Sequence, residues 1–235
     1  MDDRTAIVAV PNVLWTNGAY VDLIQVRSHC DDIGAALVLD LTQSAGALAT
    51  DFQKIRPDFA AVANYKWMLC PYTTGFLYVS DAHLDGRPLE EGWVAREGGR
   101  NFSSLTENPE TFERGAVRYD MGERANFALT PGVNRALEQL LNWGVANIEK
   151  TLGWRNRRLC KRLDALGLET IKSENRGAHF IGAKIPENTR TDLLSALAKE
   201  NVFLSVRNGS LRVTPHLWND DQDFDHVIST LARLL

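Results

Sequence analysis

Four polar residues sit where apolar runs end or pass, and their types suggest chemistry. Lys66 follows the run DFAAVA (58 to 63) and stands between Tyr65 and Trp67 in ANYKWMLCPYTTGFLYV (63 to 79). Asp40 closes ALVLD (36 to 40) and is followed by LTQS, so that an acid, a hydroxyl and the Gln43 amide fall close together. Arg212 lies inside SLRVTP (210 to 215), flanked by apolar residues. Open α/β sheets place their ligand sites outside the carboxyl ends of strands, which puts Asp40 and Lys66 on one edge. An amine and a carboxylate there suit a cofactor that carries an aldehyde and a basic ring nitrogen. The lysine can form a Schiff base with the aldehyde, while the acid keeps the ring nitrogen protonated so that the ring draws electrons from a substrate carbon. Pyridoxal phosphate is the candidate. Each residue also has an ordinary reading. Spacing alone favours a solvated loop lysine at 66. Asp40 could also cap the next helix, but Gln43 after it favours the cofactor role. Arg212 could be one half of a surface ion pair, but its apolar flanks favour the carboxylate role.

These residues need a scaffold, and the patterning predicts one. TAIVAV (5 to 10) and ALVLD read as buried parallel strands separated by a helix from Val21 to Asp32, and DFAAVA and TGFLYV (74 to 79) continue the sheet. Residues 80 to 128 lack sustained periodicity and read as long loops with short elements. From Thr130 a long amphipathic stretch begins, with Pro131 suited to a first helical turn. Strand-like HFIGAKI, helical TDLLSALAKE, strand-like VFLSV and SLRVTP, and a last helix DFDHVISTLARLL follow. The expected class is α/β, with residues 1–128 forming part of a large domain with a mainly parallel sheet and 129–235 a smaller α/β domain.

Composition narrows the function classes. The 235 residues are 44% hydrophobic and 24% charged, as expected of a chain that buries a core. A formal charge of −4 with scattered Lys and Arg argues against a nucleic-acid partner. No apolar run reaches the roughly 20 residues of a bilayer span, and MDDRTAIVAV lacks the regions of a signal peptide, so a cytoplasmic protein is expected. Cys30, Cys70 and Cys160 are widely spaced and form no metal-binding pattern with His.

The segments LVLDLTQSAGALATDF and PDFAAVANYKWMLCPYTTGFLYV together resemble the class V aminotransferase-like pyridoxal phosphate enzymes of fold type I, a group that includes cysteine desulfurases, selenocysteine lyases, kynureninase and isopenicillin N epimerase-like proteins. RYDMGERANFALTPGVNRALEQLLNWGVANI and GSLRVTPHLWNDDQDFDHVISTL agree with it, so the resemblance runs over nearly the whole chain. It implies that Lys66 carries the cofactor and, once released by substrate, shuttles protons at the substrate α-carbon, a task that requires a lowered pKa. It implies further that Asp40 pairs with the ring nitrogen, Gln43 with the ring oxygen beside the aldehyde, and Tyr65 with the phosphate. Arg212 matches the arginine that grips the substrate α-carboxylate. The roles of His216 and Asn219, in the same motif, are left open, and Trp67 is expected to pack.

The departures from the family shape the remaining expectations. Relatives carry an N-terminal part with a small-residue phosphate loop, and no Gly/Ser/Thr-rich turn opening a helix occurs in the first thirty residues here. Trp15 lies near the place where many relatives have an asparagine beside the cofactor, and Glu123 near a threonine that reaches phosphate. No cysteine lies between Cys160 and Arg212, which disfavours persulfide-forming desulfurase chemistry. The expectation is an enzyme, or the C-terminal portion of one, acting on an amino acid as transaminase, epimerase or lyase. The alternative is a truncated, catalytically incomplete relative that serves as a binding or assembly subunit. Exposed sheet edges and the family's habit predict a homodimer.

Overall fold

ALVLD and DFAAVA become neighbouring parallel strands that bury Leu37, Leu39 and Ala60. The computed structural model describes residues 1–104, 106–107 and 109–235. The chain divides into two units, one of residues 1–10, 22–42 and 51–138, the other of residues 11–21, 43–50 and 139–235.

The first unit holds a four-stranded sheet in the order β1 (Ile7–Pro11), β2 (Ala36–Asp40), β3 (Phe59–Ala63), β4 (Gly75–Val79). β2 and β3 are parallel, with Asp40 opposite Ala61, whereas β4 returns antiparallel, with Gly75 opposite Ala63. Helix α1 (Leu23–Ile33) connects β1 to β2. The Asp22 carboxylate caps it by accepting from the amides of Ile24 and Gln25, and Gly34 ends it in the left-handed conformation at φ 73°. The short α2 (Phe52–Ile55) precedes β3. Asp58, at the start of β3, accepts from the Leu37 amide at 2.7 Å, Arg27 at 2.8 Å and His83 at 3.1 Å, which ties β2, α1 and the segment after β4 to one carboxylate. Burial pushes the Asp58 carboxyl up, but these three bonds outweigh it and hold it below the usual range. The described residues between 80 and 128 form loops and short 3-10 turns.

Helix α3 (Thr130–Trp143) leads into α4 (Val145–Ala165) through Gly144, whose φ of 76° breaks one amphipathic run into two helices. The second unit contains α4, α5 (Leu193–Lys199), α6 (Asp221–Leu234) and a sheet in the order β5 (Glu169–Thr170), β6 (Ile181–Lys184), β8 (Ser210–Val213), β7 (Ser205–Arg207), all of whose pairs are antiparallel. α6 starts with a capping box between Asp220 and Asp223. Leu159 and Leu163 of α4, Leu197 of α5 and Leu231 of α6 bury against Ile181, Ala183, Leu211 and Val213 of the sheet. The α/β class expected from the alternation of patterns is the class observed, with a mixed first sheet and an antiparallel second one. No helix among the described residues is long and apolar enough to cross a membrane.

The pleat decides which face each strand residue takes. Leu211 and Val213 enter the core, so Ser210 and Arg212 of β8 lie on the other face. Opposite Arg212, Gly182 of β6 admits the backbone of Asn17, since a Cβ there would stand 2.2 Å from the Asn17 carbonyl oxygen. Segment 11–21 therefore lies on the outer face of this sheet. Gly182→Ala should destabilise the protein by about 2 kcal/mol through overpacking against main chain, measured by urea unfolding; an unchanged midpoint would mean the segment can retreat.

Candidate functional site

The carboxyl ends of β2 and β3 are stitched together. The Leu41 amide donates to the Ala61 carbonyl at 2.9 Å, and the Ala63 amide donates to the Thr42 hydroxyl at 3.0 Å. Asp40 sits at this edge, exposed, with Oδ1 accepting from the Thr42 amide at 2.9 Å in a turn of its own side chain. The turn after β3 carries Lys66. It is closed by main-chain bonds from Asn64 N to Thr74 O and from Cys70 N to Asn64 O, both 3.1 Å, and from Leu69 N to Lys66 O at 3.0 Å. Leu69 at φ 58° and Thr73 at φ 67° take the left-handed region that side chains disfavour, and such strain persists only where the surroundings over-determine it. Trp67 and Cys70 are buried beneath the turn, and Cys70 packs on Val133 and Ala136 of α3.

Anchored on both sides, the Lys66 side chain is half-buried, with Nζ 5.6 Å from the centre of the Tyr65 ring. Tyr65 is 37% exposed and stacks on Tyr72, with centroids 4.5 Å apart and planes at 16°. The first unit thus brings Asp40, Tyr65 and Lys66 to the ends of two adjacent parallel strands. Asn64, not anticipated from sequence, is fully buried two residues before Lys66, and neither atom of its amide has a hydrogen-bond partner.

In the second unit, Gln43 and Arg212 both lean on the segment that precedes β6. The buried Arg176 guanidinium holds this segment by donating to the carbonyls of Ile171, Gly177 and Phe180 and to the Cys160 sulfur, and Asn156 donates to the Ala178 carbonyl at 2.8 Å. His179 Nε2 donates to the Gln43 carbonyl at 2.5 Å. The Arg212 guanidinium stands 4.9 Å from the centre of the Phe180 ring and reaches Ser205 Oγ only at 3.5 Å. Its Nε is buried without a hydrogen bond, and no carboxylate forms an ion pair with it among the described residues. Burial, reinforced by Arg207, lowers its pKa. A cation in this state is ready for an anionic ligand. His216 is buried, stacked on Trp218 at 4.1 Å, and burial lowers its pKa. Asn219 closes the turn from His216 by accepting from its amide at 3.0 Å, a structural task. Asn12, just after β1, is buried with Oδ1 unpartnered, while Trp15 is half exposed.

The family model for aminotransferase class V matches residues 1–220. This chain belongs to the class V aminotransferase family. This class V chain is 28% identical to a probable cysteine desulfurase of Methanothermobacter thermautotrophicus, over all of this chain and 62% of that one. To aminotransferase YcbU of Bacillus subtilis it is 24% identical, over 99% of this chain and 60% of that one. In fold it is similar to the cystine C–S lyase C-DES, solved with glycine covalently linked to its PLP cofactor (TM-score 0.86, 20% identity, 100% of this chain and 62% of that one). The class V chain spans 54 to 60% of the length of the first curated relatives it matches.

His179 gives this site a pH signature. Burial lowers its pKa from 6.5 to about 4, against the Gln43 bond and with help from His216 and Arg176. Below pH 6.5 the unfolded chain therefore binds a proton that the folded chain excludes, so stability is full above that pH and is lost as pH falls toward about 4. The loss should approach 3 kcal/mol, on the order of 1.4 kcal/mol per pH unit. Urea midpoints across this range should fall for the wild type and fall less for His179→Gln; parallel profiles would contradict the assignment.

Proposed function

We propose that this chain provides the lysine and the carboxylate-binding arginine of a pyridoxal phosphate enzyme that acts on an amino acid as transaminase, epimerase or lyase. The observation that carries the reading is Lys66, half-buried in a main-chain-sealed turn at the edge where Asp40 ends the adjacent parallel strand. Pyridoxal phosphate is the cofactor that membership of the family indicates. The donor set fits it: an amine, a carboxylate and an aromatic hydroxyl at one strand edge, with a buried, unpaired guanidinium nitrogen on the second unit. When bound, the cofactor supplies an electron sink that weakens bonds at the substrate α-carbon.

Lys66 would hold the cofactor aldehyde through its amine and, when released, move a proton at the substrate α-carbon. The Asp40 carboxylate would keep the proton on the ring nitrogen, which requires the exposed acid to be covered when the ring is seated. Gln43 would donate to the ring oxygen and Tyr65 to the phosphate. Arg212 would bind the substrate α-carboxylate with its planar fork, Phe180 fixing the plane from below. A persulfide route is disfavoured. Cys160 is buried, burial raises its pKa, and its sulfur accepts from Arg176, so it is no exposed nucleophile.

A second copy of this chain is the proposed partner. β4 is an edge strand whose Phe76, Leu77 and Tyr78 are 43%, 47% and 40% exposed, on both faces of the sheet. Sedimentation at micromolar concentration should find a dimer or larger assembly, and a stable monomer would remove this part of the account.

Titration with pyridoxal phosphate should raise a visible absorbance band in the wild type that Lys66→Ala lacks. Arg212→Lys should keep the band but weaken the spectral response to added amino acids by roughly tenfold or more, as expected when a bidentate fork is lost. No lysine-dependent band would instead favour the competing reading, a catalytically incomplete binding or assembly subunit.

A further inference from the structure

We propose that His179 and Phe180 form a positioning pair that sets two functional residues from one rigid segment, His179 fixing Gln43 and Phe180 fixing Arg212. The proposal rests on the cofactor and carboxylate roles given above to Gln43 and Arg212. Its geometry lies wholly within the second unit.

His179 is fully buried, and so is Phe180. The imidazole Nε2–H points at the Gln43 main-chain carbonyl, and the ring meets the Phe180 ring edge to face, with centroids 6.2 Å apart and planes at 84°. Gln43 belongs to a polar turn after β2 that forms neither helix nor strand, so its side chain has no regular ladder to orient it. A buried hydrogen bond to its carbonyl is the restraint that replaces one. The bond survives the working pH range because His179 stays neutral above about pH 4, and both the neutral Nε2–H tautomer and the cation donate there.

Phe180 is held in turn. A Cβ on Gly18 would stand 2.6 Å from Phe180 Cδ1, and the φ of 80° at Gly18 admits no ordinary side chain, so this glycine lets the chain close on the ring. The Arg212 guanidinium stands over the same ring. Beneath both rings, Arg176 and Asn156 fix the main chain at Gly177, Ala178 and Phe180. A shift of residues 176–180 would therefore move the Gln43 contact and the Arg212 contact together. These are positioning residues; neither is assigned contact with cofactor or substrate.

The test uses the full chain with four variants, His179→Leu, His179→Gln, Phe180→Leu and Gly18→Ala, and pyridoxal phosphate and glycine as probes. Affinity for pyridoxal phosphate and the position of its absorbance band are measured by titration, the response to glycine by the band's shift, and the turn at residues 43–50 by amide hydrogen exchange. His179→Leu should weaken pyridoxal phosphate binding roughly tenfold, the scale of one lost buried hydrogen bond, shift the band and deprotect the turn, and His179→Gln should recover most of each. Phe180→Leu and Gly18→Ala should leave cofactor affinity within about twofold while weakening the glycine response several-fold, the scale of a lost cation–π contact. Wild-type cofactor affinity and band position in His179→Leu would overturn the His179 assignment, whatever the melting temperature does. An unchanged glycine response in both Phe180→Leu and Gly18→Ala would overturn the Phe180 assignment. A wild type without any Lys66-dependent band would sink the functional reading and this role toward it, while unchanged exchange at 43–50 in His179→Leu would sink the structural restraint separately.

Discussion

The turn from Asn64 to Thr74 is closed by its own main chain, and the placement of Lys66 depends on that closure. The main-chain N–H of Asn64 donates to the Thr74 carbonyl and its main-chain carbonyl accepts from Cys70, so the chain leaves β3, makes the turn and enters β4 as one sealed loop. The bonds that close it run from main chain to main chain. The left-handed residues Leu69 and Thr73 show that the loop is over-determined, and buried Trp67 and Cys70 supply the anchoring that outweighs the strain.

The second unit reaches a similar end by different means. Among the described residues Arg212 has no ion pair to orient it, and it takes its direction from strand parity and from an aromatic face. Parity sends Leu211 and Val213 to the core and Arg212 to the outer surface, and Gly182 opposite it leaves room for the chain at Asn17. Keeping the guanidinium half-buried and without a carboxylate is costly in isolation, and an anionic ligand would relieve that cost. The lowered pKa of Arg212 has this burial as its main cause.

How much of this could be read from sequence differs residue by residue. Asp40 was legible because it ends an apolar run, and Lys66 because it lies just beyond another inside a segment that resembles the class V enzymes; strand polarity then places both on one edge. The helices at Leu23–Ile33 and Asp221–Leu234 were legible through their patterning, although the aspartate caps that start them appear only in the structure. The division of the long helical stretch at Gly144 was not, because the apolar period continues across the glycine. Nor was the antiparallel return of β4, since GFLYV carries no mark of direction and its partner is chosen by the turn before it. His179 was invisible for a related reason. In HFIGAKI it reads as one more strand residue, and only the fold brings the Gln43 carbonyl, distant in sequence, to its Nε2. Asn64 gave no signal either, because burial of an amide at a strand end depends on what packs over it.

Of the chain's seven lysines, Lys66 is the one proposed to hold pyridoxal phosphate. The most direct measurement is borohydride reduction of the protein after equilibration with the cofactor, followed by digestion and mass spectrometry of the labelled peptides. A single dominant pyridoxyl modification is expected, on the peptide that contains Tyr65, Lys66 and Trp67. Label spread over exposed lysines such as Lys54, or concentrated on any lysine other than Lys66, would contradict it.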